Sequence, residues 1–325
     1  MDARIPSSEI SIDVSTAIMR CHNMALQCRL VKQDDPNATD RLPFGPFMPD
    51  LHRTMEAGLR HWVREQVGLA LGHVEQLYTF ADRGRHARAA QNDQHIVSVG
   101  YLALAETGTI DAAPSQDQQL WGDVYYYFPW EDWRAGRPDC LAEQIPNALD
   151  IWLSTNPDAA ERARTAFALD GSQWDEEFVL ERYELLYEAG LVPEAYYDNR
   201  IAALPAPALP GLVMQLDHRR ILATALGRLR GKMKYRPVIF DLMPEHFTLT
   251  DLQNTAQAVL GINLHKQNFR RLVEKSDFVE PTGRTRAARG RPAELFRLRH
   301  QQRNERPLAG LRISASRPSS GKRMR

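Results

Sequence analysis

The segment that most constrains the fold is "FTLTDLQNTAQAVLG", residues 247–261. Thr248 and Asp251 have the spacing of a capping box, in which each side chain bonds the other's backbone at the start of a helix. Gly261 is suited to the left-handed conformation that ends one. A helix is therefore predicted over 249–260, and its apolar stripe consists of Leu252, Ala256, Val259 and Leu260.

A second helix is predicted directly after this glycine, at 264–276, with Asn263 as its N-cap. Four apolar residues are spaced to face a core: Leu264, Phe269, Leu272 and Val273. The opposite face is polar and basic, and its candidate DNA contacts are Lys266, Gln267, Asn268, Arg270, Arg271 and Lys275. Arginine pairs with guanine, and glutamine or asparagine with adenine, so this face suits the recognition helix of a helix-turn-helix.

Two strands, "FVEP" and "ELFRLR", follow the second helix and frame the basic hairpin "TGRTRAARGRP". This hairpin offers four arginines to phosphates or to the minor groove: Arg284, Arg286, Arg289 and Arg291. Any one of them alone is commonly a solvated charge. Helix, turn, basic helix and basic hairpin in this order nevertheless indicate a winged helix.

The distribution of charge separates two halves of the chain. Residues 1–216 hold 17 Lys and Arg against 32 Asp and Glu, a net charge of −15. Residues 217–325 hold 24 Lys and Arg against 9 Asp and Glu, a net charge of +15. Such asymmetry indicates a polyanionic partner for the basic half alone, so the two halves are expected to do different work.

The acidic half has the alternating pattern of an α+β domain, and its apolar runs are too short for a membrane span. Two strands around a turn are predicted within 9–33, a helix at 50–69 and a strand at 95–106. A polar loop follows at 107–118. Helices are predicted through 140–200 and a Pro-rich linker at 203–211, and a further helix at 215–233 begins the basic half.

Residues 47–69 resemble the Nudix box, G-x5-E-x7-R-E-U-x-E-E-x-G-U with U aliphatic, which gathers glutamates on one helix face. Magnesium needs several such oxygen ligands. Gly68-Leu69 and Val63 keep the frame, and Glu65 keeps one glutamate. The other three carboxylate positions hold Arg53, Trp62 and Gln66. One carboxylate of four makes a poor metal site, so no metal ligand and no catalytic residue are predicted.

A nucleotide pocket can persist without the hydrolysis. Arg83 and Arg85 lie in a glycine-containing segment, where a guanidinium could fork onto a phosphate. With Glu65 they are the candidate effector-binding residues, although a solvated loop is an equally ordinary role for the two arginines.

The two halves together resemble the Nudix-related transcriptional regulators of NAD metabolism, the NrtR family. The pattern runs from a D-H-x-x-I segment at Asp217-His218, through L-x-P-x-x-F-T-L-x-x-L-Q at 242–253 and N-F-R-R at 268–271, to G-R-P at 290–292. The resemblance implies a dimeric bacterial repressor whose Nudix-like domain senses an NAD-related nucleotide, with the ligand loosening DNA. An insertion near 139–205 is closer to the longer NadQ-like regulators, which leaves ADP-ribose, NAD and ATP as candidate effectors.

The sequence thus predicts an α+β protein: a Nudix-like α/β/α sandwich (1–138), a helical insertion and linker (139–211), a winged helix-turn-helix (212–300) and a basic disordered tail (301–325). We expect a cytoplasmic homodimer that binds double-stranded operator DNA and represses genes of NAD metabolism, with no bound cofactor. One alternative is an active Nudix pyrophosphatase with carboxylates from outside the box, such as Glu56 or Glu75. Another is a DNA-binding protein without a ligand.

Overall fold

The structure is a computed structural model that describes residues 10–33, 35, 38–82, 95–106, 120–204, 208–287 and 292–299. In these ranges the strands are β1 Ile10–His22, β2 Ala25–Arg29, β3 Phe44–Pro46, β4 Val74–Phe80, β5 His95–Leu104, β6 Trp121–Asp123, β7 Val279–Arg286 and β8 Ala293–Leu298. The α-helices are α1 Met55–Val67, α2 Val124–Tyr127, α3 Gln144–Leu153, α4 Ala160–Phe167, α5 Val179–Glu188, α6 Pro193–Tyr197, α7 His218–Tyr235, α8 Leu249–Leu260 and α9 Lys266–Ser276.

The first six strands form one mixed sheet with the order β4-β5-β1-β2-β6, and β3 also pairs with β1. The long central strand β1 runs parallel to β5 and antiparallel to β2 and β3. The β1–β2 turn is tight, since Asn23 and Met24 both have positive φ, 49° and 62°. Successive side chains of β1 face opposite sides, so Val14 and Ile18 join one core and Ala17 and Met19 join another.

Helices cover both faces of this sheet. On one face α1 buries Leu59, Val63 and Val67. On the other, α7 packs on β1, β4 and β5, with Ile221 close to Gly100. The sheet between two helices is the sandwich layer arrangement expected from the sequence.

Helix α1 begins later than predicted, at Met55 rather than residue 50. Thr54 is its N-cap and accepts a hydrogen bond from the Ala57 N–H at 3.1 Å. Leu51 lies within the predicted helix but precedes the observed one, and it is 72% exposed. Apolar spacing alone extended the helix too far, because the cap decides where it starts.

The segment after β6 is helical as predicted, with α3 to α6 within 140–200 and α5 packed against α7. Helix α7 was assigned to the winged helix domain by the predicted boundary at 211/212. Its contacts lie with the first sheet and with α5 as well as with α8. The division of the chain into domains therefore remains a prediction, with α7 between its parts.

The C-terminal unit has the predicted order of α8, α9, β7 and β8. The capping box is confirmed: the Thr248 hydroxyl accepts the Asp251 N–H at 3.1 Å, and the Asp251 carboxylate accepts the Thr248 N–H at 2.8 Å. Gly261 ends α8 with φ 66°. A bridge between Phe247 and Phe296 adds a third extended segment to the β7–β8 pair.

Several predicted features fall outside the described residues: Arg83, Arg85, Arg289, Arg291, the loop at 107–118 and the tail at 301–325. Among the described residues, no helix is both long enough and apolar enough to span a membrane.

Candidate nucleic-acid interface and effector domain

Helix α9 divides its side chains between core and solvent. Phe269 and Val273, four positions apart, are 3% and 1% exposed and fix one face of the helix against the core. The six residues predicted to contact DNA are all exposed: Lys266, Gln267, Asn268, Arg270, Arg271 and Lys275. The structure therefore brings together on one short helix all the recognition-helix candidates.

Among the described residues, the basic side chains on this face of α9 have no acidic partner. Within the described part of the chain, none of the four cations forms an ion pair: Lys266, Arg270, Arg271 and Lys275. Gln267 and Asn268 belong to the first turn, the part of a recognition helix that usually meets base edges. The cations lie before and beyond them, where phosphates are commonly contacted. This arrangement can combine base readout with phosphate binding.

The turn before α9 is fixed by two glutamines of α8. The Gln257 side-chain oxygen accepts the Leu264 N–H, and the Gln253 amide donates to the Leu264 carbonyl oxygen, both at 2.8 Å. We predicted Asn263 as the N-cap of this helix, and that prediction is wrong. His265 occupies that position without a side-chain hydrogen bond, because the Asn263 amide donates instead to the Arg134 carbonyl oxygen.

The wing offers fewer free arginines than the sequence indicated. Arg284 is exposed in β7. Arg286 is also exposed, but its guanidinium is bonded to both carboxylate oxygens of Asp251, at 2.7 and 2.9 Å. Arg286 is thus engaged by the capping box of α8 and would have to exchange that partner to meet a phosphate.

Helix α1 carries the residues that resemble the Nudix box. At two of the four carboxylate positions of that box, its side chains bind strand β3. The Trp62 indole N–H donates to the Pro46 carbonyl oxygen at 2.9 Å, and its ring lies flat enough on β3 that a Cβ on Gly45 would be 2.4 Å away. The Gln66 side chain accepts the Phe44 N–H at 3.1 Å and donates to the Phe44 carbonyl oxygen at 2.7 Å. In the sequence, Trp62 and Gln66 appear only as missing carboxylates. In the structure, their hydrogen bonds hold β3 against α1.

The remaining carboxylates do not converge. Glu65 is exposed on α1. Glu56 pairs with Arg60 at 2.8 Å, and nine residues of α-helix, about 100° each, place Glu56 and Glu65 on opposite sides. Glu75 pairs with Lys232 of α7. Among the described residues no group of three or more His, Cys, Asp or Glu side chains could hold a metal ion.

The D-H-x-x-I segment holds α7 in place. The His218 Nδ1 accepts the Leu42 N–H at 3.1 Å, and its ring meets that of Phe44 edge-on at 5.0 Å. Arg219 is 1% exposed and donates to the Tyr127 carbonyl oxygen at 2.6 Å and to the Glu194 carboxylate at 3.2 Å. These residues join α7 to the sheet and to the helical insertion.

Comparison with known proteins supports both halves of the fold. Residues 239–298 match the family described as the NrtR DNA-binding winged helix domain. A curated relative, the ADPR responsive transcriptional repressor NtrR of Acinetobacter baylyi, is 42% identical over 87 residues. That match covers 27% of this chain and 35% of the relative, so the chain matches about a third of the relative's length.

Solved structures extend the likeness to most of the chain. Shewanella oneidensis NrtR in complex with a 27mer DNA has a TM-score of 0.52 and 20% identity, over 89% of this chain and 93% of that one. A second crystal structure of Shewanella oneidensis NrtR has a TM-score of 0.51 and 18% identity, over 92% of this chain and 98% of that one. At these identities the likeness establishes the fold. Residues 239–298 therefore match the NrtR winged helix domain by sequence, and the chain shares the fold of the solved NrtR structures over most of its length.

Proposed function

We propose that the chain is a transcriptional repressor of genes of NAD metabolism, which binds operator DNA through its winged helix and responds to a nucleotide through its Nudix-like domain. The observation that carries the proposal is the exposed face of α9, whose polar and basic side chains are left available within a DNA-binding winged helix domain. The relative's name, an ADPR responsive transcriptional repressor, supports both the transcriptional repression and the response to a nucleotide.

The effector is an NAD-related nucleotide, with ADP-ribose the first candidate and NAD and ATP the others. Arg83, Arg85 and Glu65 remain the candidate contacts. Hydrolysis is no part of this function, since a sensor that destroyed its ligand would erase the signal. The hydrogen bonds that Trp62 and Gln66 make with β3 agree with this, because the side chains at those positions stabilise the fold.

The active protein is proposed to be a homodimer on an inverted repeat, since a two-fold dimer matches two half-sites about one or two helical turns apart. Sedimentation at micromolar concentration, together with footprinting on a selected operator, tests this. A monomer protecting one asymmetric half-site would reject it.

Gel shift with the promoters of NAD biosynthesis genes, with and without each of the three nucleotides, tests the whole proposal. A specific shift that a nucleotide changes is the expected result. Thermal shift with the same nucleotides separates this function from DNA binding without a ligand. Magnesium-dependent turnover of ADP-ribose at ordinary hydrolase rates would instead favour the pyrophosphatase alternative.

A further inference from the structure

The turn of the helix-turn-helix is held by the sequence "EDWR", residues 131–134, which we call the EDWR segment. The Trp133 N–H donates to the Gly261 carbonyl oxygen at 2.6 Å, and the Asn263 amide donates to the carbonyl oxygen of the segment's arginine. A Cβ on Gly261 would lie 2.4 Å from the Glu131 carbonyl oxygen. Because that oxygen belongs to the backbone, no side-chain rotation would relieve the contact, and the two segments fit without spare room.

The same segment is tied to the first sheet by Arg134. Its guanidinium donates to the Met24 carbonyl oxygen, in the β1–β2 turn, at 2.6 Å. Two further bonds of 2.8 Å to the Asp132 carboxylate hold the guanidinium in a fixed direction. The charge also lies 4.9 Å from the ring centroid of Tyr125. Arg134 therefore bridges the hairpin of the sheet and the segment that carries the turn.

Tyr125 connects the same place to the end of α8. Its hydroxyl lies 2.7 Å from the Ala258 carbonyl oxygen and 3.1 Å from that of Val259, and donates to them. The Arg230 guanidinium donates to the Val259 carbonyl oxygen at 3.0 Å. Carbonyl groups at a helix C-terminus carry partial negative charge and lack intrahelical partners, so these donors stabilise the end of α8.

Glu131 anchors the start of the segment in the interior. Its carboxylate is fully buried and lies between two fully buried guanidinium groups, Arg182 of α5 at 2.5 Å and Arg230 of α7 at 2.6 Å. Burial alone would raise the pKa of Glu131, but the two cations outweigh it and hold the pKa below its ordinary value. The insertion, α7 and the EDWR segment are thereby fixed to one another.

We propose that the EDWR segment transmits the state of the Nudix-like domain to the helix-turn-helix, with Arg134 as a positioning residue. The inference rests on the proposed function, since it needs a nucleotide signal to transmit. Close-packed contacts shift as a unit rather than deform. A displacement of the β1–β2 turn would therefore move the EDWR segment, and with it the turn that sets the direction of α9.

The test uses the full chain and a duplex selected from a random library by the wild-type protein. Dissociation constants for this duplex are measured alone and with saturating ADP-ribose, NAD or ATP, and the ratio of the two is the coupling. Calorimetry gives the affinity for each nucleotide separately. Arg134→Ala is compared with Arg137→Ala, a matched control because Arg137 is exposed and, among the described residues, donates within its own loop to the Leu141 carbonyl oxygen at 2.6 Å.

We expect a wild-type coupling of at least about fivefold with one nucleotide, which Arg137→Ala preserves. In Arg134→Ala the coupling should fall towards one, while the affinities for duplex alone and for nucleotide change by no more than about twofold. If Arg134→Ala is unfolded or binds no DNA, Asp132→Asn, which removes the partner that orients Arg134, decides by the same ratio.

Wild-type coupling that survives in Arg134→Ala, or in Asp132→Asn where that variant decides, overturns the inference and leaves the proposed function intact. A wild-type coupling of one with all three nucleotides rejects both the regulation and the inference.

Discussion

Gln66 donates to and accepts from the backbone of Phe44, a pair of hydrogen bonds that a carboxamide can make and a carboxylate cannot. Trp62, one turn earlier, bonds the same strand. Single side chains have thus given the box helix a structural task. The exchange is local, because the backbone of α1 keeps its cap at Thr54 and its left-handed end at Gly68.

Gln66→Glu is expected to lower the free energy of unfolding by about 1–3 kcal/mol, since the Phe44 carbonyl oxygen would lose its donor and face a negative charge. Urea unfolding measures this. Glu65→Gln, the reverse change at the exposed neighbouring position, is the control and should stay within about 0.5 kcal/mol. Equal stability of Gln66→Glu and wild type, or magnesium-dependent hydrolysis gained by the variant, would contradict the structural role of Gln66 in binding β3 to α1.

Gln267 is the residue from which we expect direct base readout. Gln267→Ala should change the sequence preference, with a lost base contact worth about 1–3 kcal/mol. Lys275→Ala, eight positions along the same helix, should instead weaken binding to all sequences and reduce the salt slope by about one unit. Selection from a random library and salt titration measure the two effects. An unchanged preference in Gln267→Ala would show that our register for the recognition helix is wrong.

At the scale of elements, the capping box of α8 also holds the wing. Asp251 accepts from its own helix start and from Arg286 of β7, so one carboxylate joins the two elements. Partial burial would raise the pKa of Asp251, but the Thr248 N–H and the Arg286 guanidinium outweigh it, and the pKa is lowered. A carboxylate whose pKa is lowered by folding contributes stability to the folded state. This contribution is fully present above the ordinary carboxyl pKa and is lost as the pH falls through the lowered value.

Asp251→Asn should therefore cost about 1 kcal/mol at neutral pH, and the difference from wild type should shrink as the pH falls below the ordinary carboxyl range. Denaturant unfolding between neutral and acidic pH measures it. Glu280→Gln removes the wing carboxylate that pairs with Arg297 at 2.8 Å and controls for a general loss of charge. A difference that stays constant with pH would argue against the pair and the box as its source.

At the scale of the whole molecule, the buried Glu131 is what the insertion, α7 and the EDWR segment share. Its removal leaves two guanidinium groups in the interior without their carboxylate. Such an uncompensated charge is costly, even where the intact ion pair itself contributes little to stability.

Glu131→Gln is expected to destabilise the protein by about 3–5 kcal/mol. Glu188→Gln breaks a bidentate pair with Arg162 on the surface of the insertion, and should cost no more than about 1 kcal/mol. Thermal or denaturant unfolding compares the two variants. Similar small losses of stability in both variants would mean that Arg182 and Arg230 find other partners. Glu131 would then not be what joins the insertion, α7 and the EDWR segment.

The sequence by itself determined the elements whose signals are local. The capping box at Thr248, the glycine stop of α8, the two faces of α9 and the paired strands of the wing were all predicted, because each depends on neighbours within one or two turns. The boundary of α1 and the cap of α9 were wrong, since apolar spacing and a nearby asparagine are weak signals when a competing bond exists elsewhere in the chain.

Only the tertiary structure decided what depends on distant partners. Arg286 is held by Asp251, Asn263 by the carbonyl oxygen of Arg134, and Glu131 by Arg182 and Arg230, across 35 to 129 positions of sequence. No pattern along the chain marks such pairs, because a hydrogen bond or an ion pair is set by proximity in space. The sequence determined that α9 presents a basic face to solvent, whereas the contacts that position this face exist only in the folded molecule.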